Sequence, residues 1–307
     1  MTVETLQVPA YRLFRGRVAR ARRLSPSFLR VTVTGDELVE FASNGYDQRI
    51  KVVLPLPGRG LDDCPEGPDW YAEWRALPPE RRNPLRTYTV RAARPLQQEI
   101  DVDFVLHGGS GPASAWAEQA ASGDEVALIG PDARFPGPTG GFEWRPPVGA
   151  SSLLLAGDET AAPAICAIAE GLPTGVRAQA LLEVPTSSDV LNVDVPDGVR
   201  VTWLPRRHRT GASPRGELLT AAVTAAVEDL GPAASPGAEP EHVEGDDLLW
   251  GVPPGDAVPA RPGAYAWLAG EAGMVTGLRR RLLRDAGFDR ASVAFMGYWR
   301  LGRDADS

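Results

Sequence analysis

The hydrophobic period of the sequence changes near its middle, and this change limits the folds that the chain can adopt. Residues 28–34 and 100–106 alternate apolar and polar side chains, a period typical of half-buried strands. Residues 152–156 instead form a continuous apolar run, as found in buried parallel strands. One chain therefore carries the signals of two kinds of sheet, which favours two domains.

The first half is predicted to form a small antiparallel β-barrel. Further strands are expected at residues 48–54 and 126–129, and one helix should start at Pro112, after Gly111, and stop by Gly123. The arginine-rich residues 11–30 are interpreted as a basic first strand rather than a transit peptide. Residues 60–83 contain four prolines and are predicted to be a surface excursion between strands.

The second half alternates strands with helices, which predicts an α/β domain with a parallel sheet. The remaining strands are expected at residues 180–184, 199–204, 265–269 and 292–296, and helices at 217–229 and 271–286. Residues 165–172 also have helical spacing. The predicted domains are residues 1–147 and 148–307, and the acidic residues 230–263 are interpreted as a solvated loop.

Composition excludes several classes of function. The net charge of −8 argues against a dedicated nucleic-acid binder, because such proteins usually carry a basic surface. No apolar run approaches the length of a membrane span, so we expect no stable membrane insertion. Cys64 and Cys166 lack neighbours at metal-ligand spacing, which favours two thiols in a reducing cytosol over a disulfide.

The strongest local signal is the strand from Arg86 to Arg91, with the sequence Arg-Thr-Tyr-Thr-Val-Arg. Alternation places Arg86, Tyr88 and Val90 on one face. An arginine can bind an anion with two hydrogen bonds, and a tyrosine offers a flat aromatic surface. These groups suit a flavin nucleotide, although a polar strand with surface arginines would have the same pattern.

Two turns join a strand to a helix. His107 begins a glycine-rich segment that leads into Pro112, and free N–H groups at such a helix start attract phosphate. By itself, His107 fits a structural residue better than a catalyst. The second turn contains Asp158 and Glu159, which are unsuited to direct phosphate contact, so a simple helix cap is the alternative there.

Taken together, the chain resembles siderophore-interacting proteins, the FAD-dependent ferric-siderophore reductases related to the ferredoxin-reductase superfamily. The resemblance extends from about residue 12 to about residue 303. The acidic insert and Asp132-Ala133 depart from the family pattern. The matching stretches are residues 86–91, 111–117, 157–164, 267–272 and 297–302.

The resemblance implies roles for individual residues. Arg86 would hold the FAD pyrophosphate, Tyr88 would stack on the flavin ring, and Thr89 would bond its N5/O4 edge. Arg91 would support the phosphates or the adenosine, and Arg206 or Arg207 would take a 2′-phosphate unless both are surface charges. The other implied cofactor-binding residues are Val90, His107, Gly111, Pro112, Ala113, Ser114, Gly157, Asp158, Thr160, Glu183, Gly270 and Glu271.

The resemblance also implies the reaction. Electrons from NAD(P)H would pass through FAD to the Fe(III) of a siderophore, with no metal ligands from the protein. Because many ferric siderophores are anionic, a local cationic patch is expected around Lys51, with Arg134, Arg300 and Arg303 as weaker candidates. A cytoplasmic monomer is expected. The alternatives are a general NAD(P)H:flavin oxidoreductase and a non-catalytic siderophore-binding protein.

Overall fold

A computed structural model describes residues 8–106, 111–209, 211–228, 250–253, 263–288 and 290–302. The chain divides into two compact units, Met1–Phe142 and Glu143–Ser307. Both predicted sheet types are present, one in each unit, so the expected two-domain fold is confirmed. The assignment of functional domains to residues 1–147 and 148–307 stays a prediction.

The first unit is a closed six-stranded barrel with the strand order β1-β2-β5-β4-β3-β6. Its neighbouring strands pair antiparallel. Alternating side chains such as Phe14, Val31 and Leu128 fill the interior and are fully buried. The strands are β1 (Tyr11–Arg23), β2 (Phe28–Thr34), β3 (Arg49–Val53), β4 (Leu85–Arg94), β5 (Glu99–Val105) and β6 (Glu125–Pro131).

Strand β5 corrects one expectation. The alternation predicted a half-buried strand, but Asp101 and Asp103 are only 5% and 2% exposed. Arg94 binds Asp101 at 2.8 Å, and Arg30 binds Asp103 at 2.6 Å. Charged partners on the neighbouring strands therefore allow the polar face of β5 to be buried as well.

Two helices accompany the barrel. Helix α1 (Trp70–Ala76) lies within the predicted surface excursion and has no buried residue. Helix α2 (Pro112–Gln119) begins where the sequence predicts, directly after Gly111. The five short 3₁₀ turns of the described chain are Asp36–Glu40, Pro79–Arg81, Pro95–Gln97, Ser187–Asp189 and Arg290–Ser292.

The second unit contains a six-stranded sheet with the order β12-β14-β13-β7-β8-β9, parallel except for the β12–β14 pair. A short antiparallel ribbon, β10 (Arg207–His208) with β11 (Gly211–Ala212), follows β9. The other strands are β7 (Ser152–Gly157), β8 (Arg177–Val184), β9 (Val199–Pro205), β12 (Trp250–Gly251), β13 (Ala264–Glu271) and β14 (Val293–Trp299).

Three helices belong to this unit: α3 (Ala162–Glu170), α4 (Glu217–Glu228) and α5 (Ala272–Arg284). Apolar side chains of α4 and α5 pack on one face of the sheet, in a core that includes Leu154 and Leu268. From β7 the chain proceeds to β8 on one side, and it later returns to β13 on the other. The carboxyl ends of β7 and β13 therefore border a topological switch point, where open α/β sheets bind ligands.

The remaining predictions concern the two cysteines, membrane-spanning helices, metal ligands and the acidic loop. Cys64 and Cys166 are buried thiols that no disulfide joins. Within the described residues, no helix has the length and apolar character needed to cross a bilayer, and no cluster of metal-ligating side chains occurs. The predicted solvated loop at 230–263 lies almost wholly outside the described residues, apart from residues 250–253 and 263.

Candidate cofactor and nucleotide sites

Strand β4 presents the predicted flavin-binding side chains next to the barrel core. Arg86 and Tyr88 pair across the ladder with Val52 and Ile50, two core residues of β3. Residues directly opposite each other on antiparallel strands share a face, so Arg86 and Tyr88 lie on the same side as Val90, as the alternation predicts. The Tyr88 ring lies 4.3 Å from the Phe104 ring, centroid to centroid.

Tyr88 and Thr89 keep polar groups that the described chain does not use. Thr89 is 7% exposed, and its hydroxyl forms no hydrogen bond with any described residue. Burial raises the pKa of the Tyr88 phenol well above its ordinary value, so this group stays neutral. A half-buried neutral ring beside an unused hydroxyl is a suitable surface for an uncharged heteroaromatic ring.

Helix α2 follows Gly111. This residue has a φ of 98° and no side chain to cap the helix, and a Cβ at this position would meet no described atom within 4 Å. Ser114 donates its hydroxyl to the Val105 carbonyl at 3.1 Å, which fixes the helix start at the end of β5. The predicted ligand His107 lies outside the described residues.

Lys51 lies on strand β3, which pairs with β4 in the same ladder. It pairs with Thr87, and its ammonium donates to the Thr87 hydroxyl at 2.7 Å. No described carboxylate forms an ion pair with it. The partial burial of its stem and then the nearby Arg49 charge lower the pKa of Lys51, although its side chain remains exposed.

Arg134, another predicted substrate contact, is already paired. Its guanidinium binds Asp132 at 2.7 Å and Glu40 at 3.2 Å. Asp132 is fully buried and also binds Arg12 at 2.9 Å. Burial opposes ionisation of Asp132, but the bonds from Arg134 and the charge of Arg12 outweigh it and lower the pKa of this carboxyl. Asp132, which departs from the family pattern, is thus a buried ion-pair partner for two arginines.

In the second unit, Asp158 directly follows β7 and joins it to the ends of β13 and β14 at the carboxyl edge of the sheet. Its fully buried carboxylate accepts hydrogen bonds from the Thr160 N–H at 2.9 Å and the Thr160 hydroxyl at 2.5 Å. The Glu271 N–H at 2.9 Å and the Trp299 indole N–H at 3.0 Å complete the set. Burial, and then the neighbouring Glu159, raises the pKa of Asp158.

Glu159 is held by two arginines. Arg206 binds its carboxylate at 2.8 Å and Arg215 at 2.7 Å. These guanidinium groups outweigh the effect of burial and lower the pKa of Glu159. Arg206 has only 11% of its side chain exposed, so the expectation that it might be a surface charge is wrong. Arg207, by contrast, lies exposed on the β10–β11 ribbon.

Sequence reasoning missed Arg215, although a signal was present. The residue precedes helix α4 by two positions, where the helix dipole disfavours a cation. Two acids next to a buried strand also need cationic partners. Arg215 is such a cationic partner, because it binds Glu159. Its guanidinium also lies over the Trp299 ring, 4.8 Å from the ring centroid.

Two residues that are predicted to contact the nucleotide cap helices in the structure. Glu183 is fully buried and accepts from the Gly216 and Leu219 N–H groups, at 2.7 and 3.1 Å, at the start of α4. Glu271 accepts from the Met274 N–H at 2.7 Å and so caps α5. Both carboxylates therefore already have backbone donors, which is a structural reason for acids at these positions.

Two glycines permit the close packing of this edge. A Cβ on Gly157 would lie 2.5 Å from the Ala269 carbonyl oxygen. A Cβ on Gly270, whose φ is 137°, would lie 2.7 Å from the Asp158 carboxyl carbon.

Arg300 follows β14 and is partly exposed, whereas Arg303 lies outside the described residues. In the first unit, Arg91 is 3.8 Å from Asp103.

Comparison with known proteins connects both units to one family. Residues 17–135 match a profile described as a siderophore-interacting FAD-binding domain, and residues 150–302 match one described as siderophore-interacting protein. The siderophore-interacting protein SipS from Aeromonas hydrophila is 31% identical in sequence; the match covers 96% of this chain and 94% of SipS with a TM-score of 0.64. The chain belongs to the siderophore-interacting protein family.

Two relatives carry the names of enzymes. Ferric vibriobactin reductase ViuB of Vibrio cholerae is 34% identical over 190 residues, which is 61% of this chain. That match spans 64% of ViuB, slightly less than two thirds of its length. The NADPH-dependent ferric-chelate reductase of Escherichia coli is 36% identical over 115 residues, 37% of this chain and 42% of the relative.

The side chains of this siderophore-interacting protein fit FAD in the first unit. An arginine, a half-buried tyrosine ring and an unused threonine hydroxyl lie along β4. Helix α2 follows Gly111, at which an added Cβ would meet no described atom within 4 Å. This donor set matches a phosphate, a heteroaromatic ring and a polar ring edge, which are the parts of a flavin nucleotide.

Proposed function

We propose that this protein is an FAD-dependent reductase of ferric siderophores that takes its electrons from NAD(P)H and releases Fe(II). Family membership and the names of ViuB and the E. coli ferric-chelate reductase support this proposal. The proposed enzyme acts as a monomer in the cytoplasm, where NAD(P)H is available. Iron enters the account as substrate and not as a resident metal.

The residues of β4 and α2 would hold FAD. Arg86 would bind the pyrophosphate, the Tyr88 ring would pack on the flavin ring, and the Thr89 hydroxyl would bond its edge. The N–H groups at the start of α2 would meet the phosphates. When bound, FAD supplies the conversion of a two-electron donor into one-electron steps, which iron reduction requires.

Lys51 carries the assignment of an anionic substrate. Its register places it opposite Thr87, on the face of the ladder that also carries Thr89. Its ammonium has a hydroxyl partner and no described carboxylate partner, whereas Arg134 is neutralised by Asp132 and Glu40. In a chain of net charge −8, such an uncompensated cation attracts an anionic chelate.

The chemistry of iron explains why reduction would release it. Siderophores bind Fe(III) through hard oxygen ligands, and the larger, less charged Fe(II) is bound far less tightly by them. The protein therefore needs only to hold the chelate beside FAD. Lys51 would orient the anionic chelate, and the half-buried Tyr88 ring would exclude water from one side of the site.

A comparison of electron acceptors tests the proposal. Purified protein is loaded with FAD, supplied with NADPH or NADH, and offered ferric siderophores, a quinone and free flavin, while an Fe(II)-trapping dye records released iron. The proposal expects chelate reduction to be the most efficient reaction. Equal or better reduction of the quinone or free flavin would contradict it and favour a general flavin oxidoreductase. Failure to retain FAD would favour a non-catalytic binding protein.

A further inference from the structure

The carboxyl edge of the parallel sheet already contains an anion of its own. In open α/β folds a dinucleotide lies at the switch point, and its pyrophosphate meets the N-terminus of the following helix. Here that place lies between the ends of β7 and β13, next to the start of α3. The Asp158 carboxylate lies in this crevice and contacts both sides of it.

The contacts of Asp158 are those that a bound anion would make. Two backbone N–H groups, from Thr160 and Glu271, donate to it at 2.9 Å each. The Thr160 hydroxyl and the Trp299 indole N–H donate as well. A single Cβ added at Gly270 would lie 2.7 Å from the carboxyl carbon, so Asp158 packs directly against the Gly270 backbone.

The backbone at the start of α3 is also occupied. The Ala161 N–H donates to the Asp158 carbonyl at 3.0 Å, and the Ala162 N–H donates to the Glu159 carbonyl at 3.3 Å. Pro163 has no N–H. Among residues 160–164, only Ala164 keeps an N–H without an acceptor in the described chain. Little remains of the donor array that normally binds a pyrophosphate.

The balance of charge points the same way. Three fully buried carboxylates lie at this edge, and two arginines pair with them. Arg215 lies 3.8 Å from Asp158 but binds Glu159 at 2.7 Å, and the Glu159 charge already raises the pKa of Asp158. A dinucleotide's two pyrophosphate charges would add to this repulsion between anions. The carboxylates are Asp158, Glu159 and Glu183, and the arginines are Arg206 and Arg215.

We infer that this edge does not hold a dinucleotide pyrophosphate, and that a pyridine-nucleotide donor is recognised through its nicotinamide mononucleotide half. Asp158 and Glu159 would be the residues that determine this specificity. The inference rests on the proposed function for the identity of the donor. It assigns Gly157 and Thr160 to the neighbourhood of the nicotinamide rather than to a phosphate.

Binding measurements on the full-length, FAD-loaded protein test this inference directly. Titration calorimetry compares NAD⁺, nicotinamide mononucleotide and ADP-ribose, which contains the pyrophosphate but no nicotinamide. The expected Kd of the mononucleotide is within about threefold of that of NAD⁺, and ADP-ribose should not bind at about 1 mM. A preference for NAD⁺ of about thirtyfold or more, or ADP-ribose binding as tight as NAD⁺, would overturn the inference. Lack of binding by all three would overturn the assignment of the mononucleotide half.

Variants provide a second arm. Asp158→Ser removes the internal anion and releases the Thr160 and Glu271 N–H groups, so it should bind ADP-ribose at least about tenfold more tightly than wild type. Asp189→Ser is the matched control, because Asp189 is also fully buried and caps a turn through Thr186. Equal ADP-ribose binding by both variants would contradict the inference. Should Asp158→Ser fail to fold, the wild-type titrations decide alone.

A further experiment distinguishes the failure of this inference from the failure of the proposed function. Chemically reduced, FAD-loaded protein mixed with a ferric siderophore needs no nucleotide. If it reduces the chelate while NAD⁺ is strongly preferred over the mononucleotide, only the inference fails. If the binding pattern holds and no chelate is reduced, the proposed function fails and the closed edge remains.

Discussion

Helices α2 and α3 begin in similar ways, yet they offer a ligand opposite opportunities. Each follows a strand in the chain and has a proline in one of its first two positions. At α2, the Ala113 and Ser114 N–H groups have no acceptor in the described chain. At α3, the turn supplies Asp158 and Glu159, and the nearby N–H groups bind to these two residues.

The difference teaches that a strand–turn–helix pattern does not by itself specify an anion site. The acidic turn before α3 uses the N–H groups of its helix start internally, whereas the described residues supply no acceptor for the Ala113 and Ser114 N–H groups at α2. Within the described residues, the start of α2 in the barrel unit therefore keeps two N–H groups without an acceptor, and the start of α3 in the α/β unit keeps only that of Ala164. Each prediction below challenges one side of this contrast.

The largest expected effect is the loss of stability caused by Asp158→Asn. An amide keeps one acceptor oxygen but turns an N–H₂ toward donors, so the substitution should lower the free energy of unfolding by about 3 kcal/mol. Asp189→Asn, the matched control, has two hydrogen bonds from Thr186 and should cost about 1 kcal/mol. Urea unfolding measures both values. Equal losses would mean that the Asp158 network is not special.

The second prediction concerns the start of α2 and Arg86. Arg86→Ala should weaken FAD binding about 10- to 100-fold, because a phosphate charge loses a charge-assisted hydrogen-bond donor. Arg22→Ala is the control, since Arg22 is an exposed arginine of β1 in the same barrel. Flavin fluorescence titration of the apoprotein gives the affinities. Unchanged FAD affinity in Arg86→Ala would remove Arg86 from the site.

The third prediction is a pH dependence at Lys51. Lys51→Ala should raise the KM for an anionic ferric chelate about fivefold, because an exposed charge contributes about 1 kcal/mol. The lowered pKa of Lys51 means that its charge is lost as pH rises, before that of an ordinary lysine. The wild-type KM should therefore rise with increasing pH, while Lys51→Arg should keep a low KM. Parallel pH profiles of the two proteins would exclude Lys51 as the titrating group.

The smallest effect is expected for Arg134→Ala. Because Asp132 and Glu40 already neutralise this guanidinium, its removal should change the KM for an anionic chelate less than about twofold. Steady-state kinetics beside Lys51→Ala provide the comparison. A larger change for Arg134→Ala than for Lys51→Ala would reverse the assignment of the substrate cation.

The strands and helices of the fold were predictable because the hydrophobic patterns of these segments are strong. The alternation in β2 and the continuous apolar run in β7 each identify a strand, and Gly111-Pro112 marks the start of α2. The burial of Asp101 was not predictable from period alone. Its partner Arg94 is seven residues away, and a sequence period does not show which strands become neighbours.

The candidate sites divide in the same way. The β4 motif is local, so its side chains share one strand and could be placed from the sequence. The network around Asp158 is assembled from strand ends that are far apart in sequence, and the Trp299 contact joins residues 141 positions apart. Glu183 and Arg206 therefore gained partners that no local pattern indicates, and Arg215 was missed.

The central claim is that this protein reduces ferric siderophores through FAD. The most direct test is anaerobic stopped-flow mixing of chemically reduced, FAD-loaded protein with a ferric siderophore, which follows flavin absorbance and an Fe(II) trap together. We predict rapid return of the oxidised flavin band with two Fe(II) formed per FAD, because FAD delivers two electrons in single steps. Reduced flavin that stays reduced in the presence of every ferric chelate would contradict the account.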